Sequence, residues 1–339
     1  MIVDSFLAFN EIELARFRIN YLWELTDRVI IGESRLTHSG IQKPLYFTEW
    51  IAAHPELQEK VKIVEIKLDH FKVNWDREIG SREFLQNYLK ENFENSRAIL
   101  SDLDEIPAKQ QILDFLSVRT NVHFRMNTYF RRANFALRDS GHRLWNHGVM
   151  IYDHSSLPEN GGRYTKLPVL NSYEVGGHFS YLGMSQDQVS LKLKSFAHSE
   201  LETTHLNLSN FIDFCDEFGV DHLGRFQDQG MGVFEVKRKE TFPKLLQDMY
   251  SFKPSWFHLA EETPHFLMRL FASATVSHAI KNMAGSTSAR YAISKRNKNL
   301  SWIYKAKLAI FLQIGRKIMR ASAEWVKKFF NRKHFERGQ

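Results

Sequence analysis

Two aspartates with one residue between them follow a short apolar run in the first third of the chain. Residues 98–100 read Ala-Ile-Leu, and Asp102 and Asp104 come soon after them. Because alternate side chains of an extended segment point the same way, the two carboxylates share one side and Leu103 points back into the protein. Neighbouring carboxylates repel each other unless a cation lies between them. The spacing therefore indicates a cation site at the end of a buried strand.

Less specific interpretations of the Asp-x-Asp pair are a solvated loop, or a helix cap formed by Asp104 ahead of a helix that begins near Pro107. Two neighbours of the pair favour a site that binds a ligand. The apolar run precedes it, and Glu105 opens a Glu-Ile-Pro sequence directly after it. Ligands of open α/β sheets bind beyond the carboxyl ends of the strands, where this cluster is predicted to lie.

The elements that would position this cluster alternate between strand and helix. Apolar runs predict strands at residues 2–6, 28–34, 61–66 and 98–100. Helical spacing of apolar residues predicts helices at residues 10–27, 46–59 and 75–89. Such alternation predicts an α/β fold with a mixed, mainly parallel central sheet flanked by helices.

The sequence changes in character after residue 108. Residues 122–137 and 147–152 alternate as strands rich in aromatic residues and arginine, residues 176–181 form a strand introduced by glycines, and residues 186–196 form a helix. We therefore predict one domain over residues 1–290. Its first half, residues 1–108, has the strand–helix pattern of a nucleotide-binding fold. Its second half, residues 109–290, is predicted to bind another substrate.

The composition is that of a globular protein. The chain has 339 residues, of which 43% are hydrophobic, and its single cysteine, Cys215, agrees with a reducing compartment. The first residues lack the basic segment and long apolar run of a signal peptide. No stretch approaches the roughly 20 apolar residues that a spanning helix needs. These features predict a cytoplasmic protein.

The positive charge of the chain lies at its C-terminal end. Between Arg290 and Gln339 there are 14 Lys and Arg against two Glu, whereas the preceding 289 residues carry 32 basic and 37 acidic side chains. Residues 296–335 are predicted to form a basic amphipathic helix, with Trp325 and Phe329 on its apolar side and Arg316 on its polar side. This pattern is typical of a helix at an anionic membrane surface, here the inner face of the membrane.

Two other roles for the tail are packing on the domain and nucleic-acid binding. It could pack on the domain as a last helix with a solvated cationic face. Nucleic-acid binding is disfavoured, because no recognised binding motif accompanies the charge.

Several stretches together resemble glycosyltransferase family 17, whose animal members add a bisecting N-acetylglucosamine to the core mannose of N-glycans. The similarity covers roughly residues 2–205. One departure is visible, because the family often has Trp-His-Cys where this chain has Gly177-His178-Phe179. The matching positions are Asp4, Phe6, Phe9-Asn10-Glu11, Arg16, Glu33-Ser34, Thr37, Gly40, Lys43-Pro44-Leu45, Arg82, residues 101–107 (Ser-Asp-Leu-Asp-Glu-Ile-Pro), Gly176, His178, Ser180 and residues 192–200 (Lys-Leu-Lys-Ser-Phe-Ala-His-Ser-Glu).

The resemblance implies a GT-A-like fold and an inverting enzyme that uses a nucleotide-sugar donor, most simply a UDP-sugar, with Mn²⁺ or Mg²⁺. Asp104 would bind the metal directly, and Asp102 would bind the metal or the ribose. A further ligand would be His178 or His198, although a lone histidine is more often structural. Oxygen ligands suit these hard cations, and the metal would offset charge on the departing diphosphate.

The same resemblance implies roles for the remaining candidates. The base that accepts the proton of the attacking hydroxyl would be Glu105 or Glu200, with Asp228 behind them. Asp4 and Glu33 would contact the uridine or ribose. Cations facing the diphosphate would be Arg82 or, from elsewhere, Arg131, Arg132 or Lys192, each of which could instead form an ordinary ion pair.

The function predicted from these residues is transfer of a sugar, with N-acetylglucosamine taken from the animal relatives, to a glycan or lipid-linked saccharide. Two other functions compete with it. Clustered carboxylates also hold the two metals of phosphoryl hydrolases and nucleases. A non-catalytic module that binds carbohydrate or membrane could keep the same fold, but it would have no use for three adjacent acids.

Overall fold

The computed structural model describes residues 1–137, 148–157, 166–197, 210–223, 233–259, 263–264, 268–270, 272–273 and 276. The predicted tail at residues 296–335 lies outside the described residues, and so do His198, Glu200 and Asp228. No helix in the described ranges has both the length and the apolar character needed to cross a membrane.

The described strands and helices follow one another much as the sequence predicts. The strands are β1 (Ile2–Leu7), β2 (Arg28–Glu33), β3 (Val61–Glu65), β4 (Arg97–Asp102), β5 (Glu105–Ile106), β6 (Val122–His123), β7 (Met126–Phe130), β8 (Phe135–Ala136), β9 (Val149–Ile151), β10 (Gly176–Ser180) and β11 (Glu235–Val236). The α-helices are α1 (Ile12–Leu22), α2 (Tyr46–Ala52), α3 (Asn74–Phe93), α4 (Lys109–Phe115), α5 (Gln186–Ser195), α6 (Phe211–Phe218) and α7 (Lys244–Phe252).

These strands form two sheets in the described part of the chain. The first has the order β3-β2-β1-β4-β9-β6, and the second has the order β11-β8-β7-β10-β5. In the first sheet β1, β2, β3 and β4 are parallel, and β9 is antiparallel to β4. The predicted α/β fold with a mainly parallel sheet and flanking helices is therefore confirmed.

The inner strands β1, β2 and β4 of the first sheet are buried on both faces, since burial does not alternate along them. Along β2, Ile30 packs in one hydrophobic cluster with Leu85 and Leu89 of α3. Its neighbours Val29 and Ile31 pack in another cluster that includes α1. A third cluster includes Phe130 of β7, Phe135 of β8 and much of α6, whereas Phe179 of β10 packs in the cluster that includes α1.

The two sheets are joined at the Asp-x-Asp sequence. Strand β4 extends to Asp102, two residues beyond the predicted apolar run, and β5 begins at Glu105. Only Leu103 and Asp104 lie between the two sheets, and they form a turn. The division at residue 108 stays a prediction, although β6 and β9 from the second half complete the first sheet.

Strand β10 approaches β5 so closely that one position has no room for a side chain. A Cβ atom added to Gly176 would lie 2.3 Å from the carbonyl oxygen of Ile106 and 2.9 Å from Cα of Pro107. Both are backbone atoms, so a neighbouring rotamer change cannot relieve the contact.

We therefore expect Gly176→Ala to lower the free energy of unfolding by ~2 kcal/mol or more. Urea denaturation followed by circular dichroism measures the change. Ser172→Ala is the control, since the buried Oγ of Ser172 has no hydrogen-bond partner among the described residues. Equal midpoints for the two variants would contradict the close approach.

Candidate active site

The turn between the two sheets is fixed by a buried arginine of α1. Arg18 is fully buried and pairs with Asp4 through two hydrogen bonds, Nε to Oδ2 at 2.9 Å and Nη2 to Oδ1 at 2.6 Å. The same guanidinium donates to four groups of the turn: the carbonyls of Asp102 (2.7 Å), Leu103 (3.3 Å) and Glu105 (3.1 Å), and Oγ of Ser101 (2.9 Å). Arg18 therefore holds the backbone that carries both aspartates.

Asp4, predicted to contact uridine or ribose, lies beneath this turn and does not line the cleft. Its two oxygens accept hydrogen bonds from Arg18, so its carboxylate neutralises that buried cation. Neither residue is accessible from the cleft. The geometry gives Asp4 a structural role instead of a nucleotide contact.

Glu105, predicted as a base, is also fully buried. One of its oxygens accepts a hydrogen bond from the backbone N–H of Asp102 at 3.0 Å. A base must reach the hydroxyl of the acceptor, and Glu105 does not line the cleft. The geometry instead favours a role for Glu105 in positioning Asp102.

Glu33 is buried at the end of β2 and faces the first turn of α2. Its carboxylate accepts hydrogen bonds from the N–H groups of Phe47 and Thr48, both at 2.9 Å. A carboxylate in this position satisfies free N–H donors and interacts favourably with the helix dipole. Glu33 therefore caps a helix and lies outside the cleft that a nucleotide could enter.

A cleft of about 460 Å³ opens at the carboxyl ends of β1, β2 and β4. Phe9, Thr37, His38 and Asp102 line it from the first half, and Lys192 lines it from α5 of the second. Burial lowers the pKa of His38, so its imidazole is neutral near neutral pH. The cleft is large enough for a nucleotide-sized ligand.

Asp102 faces α3 across the cleft. Its carboxylate accepts two hydrogen bonds from Arg82, at 2.5 Å and 3.1 Å, and Arg82 also contacts Glu78 at 3.4 Å. Such a two-point contact fixes both groups. Arg82, predicted to face a diphosphate, does line the cleft, and it is paired with Asp102 there.

Asp104 faces the second half of the chain. Its Oδ1 lies 3.8 Å from Nε2 of His178 on β10, and its Oδ2 lies 3.6 Å from Nζ of Lys192. Burial raises the pKa of Asp104, and the nearby Lys192 and His178 oppose that rise. Asp102 and Asp104 thus turn to different partners, because the residues between β4 and β5 form a turn where the spacing predicted extended chain.

Asp104 and His178 are close enough for one metal ion to contact both, although Nε2 of His178 also lies 3.1 Å from Oγ of Ser180. Ligands of Mg²⁺ lie at about 2.0–2.1 Å, so two donors on one ion are at most ~4.2 Å apart. The 3.8 Å between Oδ1 and Nε2 falls within this limit. Among the residues that the structure describes, no group of three His, Cys, Asp or Glu side chains is placed to hold an ion. Additional ligands would come from the substrate, from water or from residues such as His198.

Lys192, like Arg82, is a buried cation that lines the cleft. Its Nζ lies 2.7 Å from Oε1 of Glu11, and the rings of Tyr181 and Phe196 flank it at 5.3 Å and 5.2 Å. Although burial disfavours the ammonium, Glu11 and Asp104 raise the pKa of Lys192 above its usual range. Burial also acts on Glu11, but the charge of Lys192 outweighs it and lowers the pKa of that carboxyl. Both shifts favour the ion pair.

Sequence reasoning missed the roles of two residues. No pattern in the sequence indicates that Arg18 is buried, since a lone arginine on an amphipathic helix is typically exposed. Glu11 stands out in the sequence only within the Asn-Glu match to the family. The alternative cations Arg131 and Arg132 both pair with Asp216 and do not line the cleft.

The residues that line the cleft all lie in the part of the chain that matches one sequence family. The model for glycosyltransferase family 17 matches residues 1–215. The chain belongs to this family. The match spans β1 to α6, including the Asp102–Asp104 turn and Lys192, and the prediction of a glycosyltransferase is confirmed.

Solved structures similar to this family 17 chain are remote. HddC from Yersinia pseudotuberculosis is 12% identical with a TM-score of 0.31, and the alignment covers 55% of this chain and 95% of HddC. The inositol-1-phosphate CTP transferase from T. maritima is 11% identical with a TM-score of 0.33, covering 60% of this chain and 97% of that protein. No curated protein matches the sequence.

The arginine beneath the turn makes a testable contribution to stability. Removing its charge leaves Asp4 buried and unpaired, so we expect Arg18→Met to lower the free energy of unfolding by about 3–5 kcal/mol. The double variant Asp4→Asn/Arg18→Met, which removes both charges, should recover part of this loss. Denaturant titration of the purified proteins measures both.

The matched control is Arg28→Met, an exposed position at the start of β2. Its effect should stay within about 0.5 kcal/mol, as is usual for surface substitutions. If Arg18→Met were as stable as this control, the proposed anchoring of the turn would be wrong.

Proposed function

We propose that this family 17 glycosyltransferase is metal-dependent and transfers a sugar, with inversion, from a nucleotide-sugar donor to a glycan or lipid-linked saccharide. The observation that carries the proposal is the position of Asp104 between His178 and Lys192 in the cleft. An acid, an imidazole and a cation meet there at the ends of parallel strands, which is where α/β sheets bind their ligands.

The donor would bind with its diphosphate beside this group. Asp104 and His178 would hold Mn²⁺ or Mg²⁺, and a bound metal supplies positive charge that stabilises the departing diphosphate. Asp102 stays a candidate for the metal or the ribose, although its pairing with Arg82 favours a role at the edge of the site. UDP-N-acetylglucosamine is the first donor to test.

The acceptor would approach from the second half of the chain. Its hydroxyl must lose a proton to a base on the face opposite the leaving group. Since Glu105 is buried and bound to the backbone of Asp102, Glu200 is the carboxylate that we propose for this step. A two-metal hydrolase is less well supported, because Asp102 and Asp104 turn to different partners.

The metal proposal predicts the behaviour of one substitution. Asp104→Asn keeps the size of the side chain but removes its charge, so we expect at least a 100-fold loss of sugar transfer, as when a principal charge-stabilising group is removed. UDP affinity should become the same with Mn²⁺ and with EDTA. Product formation and calorimetric titration measure these effects.

Asp69→Asn, at an exposed position, is the matched control and should behave as the unmodified protein. Normal turnover of Asp104→Asn would overturn the mechanism. Hydrolysis of generic phosphodiesters to phosphomonoesters without a sugar donor would favour the hydrolase.

We further propose that the tail at residues 296–335 binds anionic membrane, which would place the enzyme at the inner face of the membrane. The support is the excess of basic residues after Arg290 and the amphipathic spacing. Reversing three charges of the polar side, Arg316→Glu, Arg320→Glu and Lys327→Glu, should move the protein from vesicles with anionic lipid into the soluble fraction. Vesicle flotation measures this shift.

The control reverses three exposed lysines of the domain, Lys67, Lys72 and Lys90. It has the same change of net charge and should leave vesicle binding in place. Equal flotation of both triple variants would instead support a helix packed on the domain.

A further inference from the structure

The ammonium of Lys192 has more hydrogen-bond donors than its partners among the described residues use. An ammonium has three N–H donors. Among the described residues, it makes one hydrogen bond, to Glu11 at 2.7 Å, while Asp104 lies at 3.6 Å. Lys192 lines the cleft, so a ligand bound there could accept hydrogen bonds from its ammonium.

The surroundings of Lys192 make it a rigid and poorly hydrated cation. Its side chain is 7% exposed, and the rings of Tyr181 and Phe196 lie beside the ammonium. A charge that has already lost most of its water interacts more strongly with an incoming anion than an exposed lysine does. Because Glu11 also fixes its position, little side-chain entropy is lost when a ligand binds.

The balance of charge at this point calls for an anion together with a metal. Two carboxylates, Glu11 and Asp104, flank the single ammonium of Lys192, and two more, Asp102 and Glu78, share the guanidinium of Arg82. A diphosphate alone would add negative charge to a site that already has an excess of it. A divalent metal on Asp104 would offset that carboxylate and leave Lys192 to the diphosphate.

We propose that Lys192 binds the diphosphate of the donor and stabilises it as the leaving group, acting beside the metal and not in its place. The inference rests on the proposed function. When the bond between the anomeric carbon and the diphosphate oxygen breaks, its electron pair stays on that oxygen. The acceptor oxygen bonds to the carbon, and its proton passes to the carboxylate base. Lys192 offsets the charge that the diphosphate gains.

A purely structural role is the main alternative. The pair of Lys192 with Glu11 joins α5 to the segment after β1, and Ser39 N–H also donates to the carbonyl of Ser195 at 3.1 Å. In that case Lys192 only holds the two halves together. Its removal would disturb Asp104 and weaken metal and diphosphate binding alike.

The two roles predict opposite changes in metal affinity. If Lys192 binds diphosphate, Lys192→Met should weaken binding of UDP and of inorganic pyrophosphate, measured with Mn²⁺ by calorimetry, about 10- to 100-fold, the range of a charge-assisted contact. Binding of Mn²⁺ alone, measured by electron paramagnetic resonance, should become tighter, because a cation beside Asp104 has been removed.

Two further variants complete the experiment. Glu11→Gln/Lys192→Met removes both charges of the pair, so it folds without an unpaired buried carboxylate and should show the same loss of diphosphate affinity. Lys194→Met makes the same change at an exposed position of the same helix and should bind as the unmodified protein. Circular dichroism confirms that each variant is folded.

The outcomes separate this inference from the function on which it rests. Unchanged affinity for pyrophosphate in both Lys192 variants, or parallel weakening of Mn²⁺ and pyrophosphate, would overturn the role of Lys192 while leaving the donor proposal in place. If the unmodified protein bound pyrophosphate through Lys192 but no UDP-, GDP- or CMP-sugar, the nucleotide-sugar proposal would fail and the diphosphate site would stand.

Discussion

The buried pair of Arg18 and Asp4 is the interaction on which the rest of the site depends. A guanidinium has five donors in a fixed plane, and here it serves a carboxylate and four acceptors of a single turn. Taking this cation out of water is costly unless every partner is in place. These contacts fix the shape of the turn, so Asp102 and Asp104 point towards different partners.

Charge alternates across the cleft from one half of the chain to the other. Arg82 meets Asp102 on the side of α3, while Asp104, Lys192 and Glu11 follow on the side of α5. Each ion therefore has a partner of the opposite sign within 4 Å. A ligand that binds one of these ions would also change the electrostatic environment of the ion paired with it.

The sequence could predict the strands and the position of the Asp-x-Asp cluster because both follow from local pattern. Apolar runs identified β1 to β4, and the resemblance to family 17 brought Asp104 and His178 into one site before their distance was known. The roles of Asp4, Glu33 and Glu105 were not predictable in the same way. Whether a carboxylate at a strand end faces solvent, a helix end or a buried arginine depends on residues far away in the chain, such as Phe47 and Arg18.

The two-residue connection between β4 and β5 has a consequence for how this family can vary. Leu103 and Asp104 are all that separates a strand of one sheet from a strand of the other. An inserted or deleted residue there would shift the register of both sheets and rotate Asp104 away from His178. The length of this connection is therefore constrained by the architecture of both sheets.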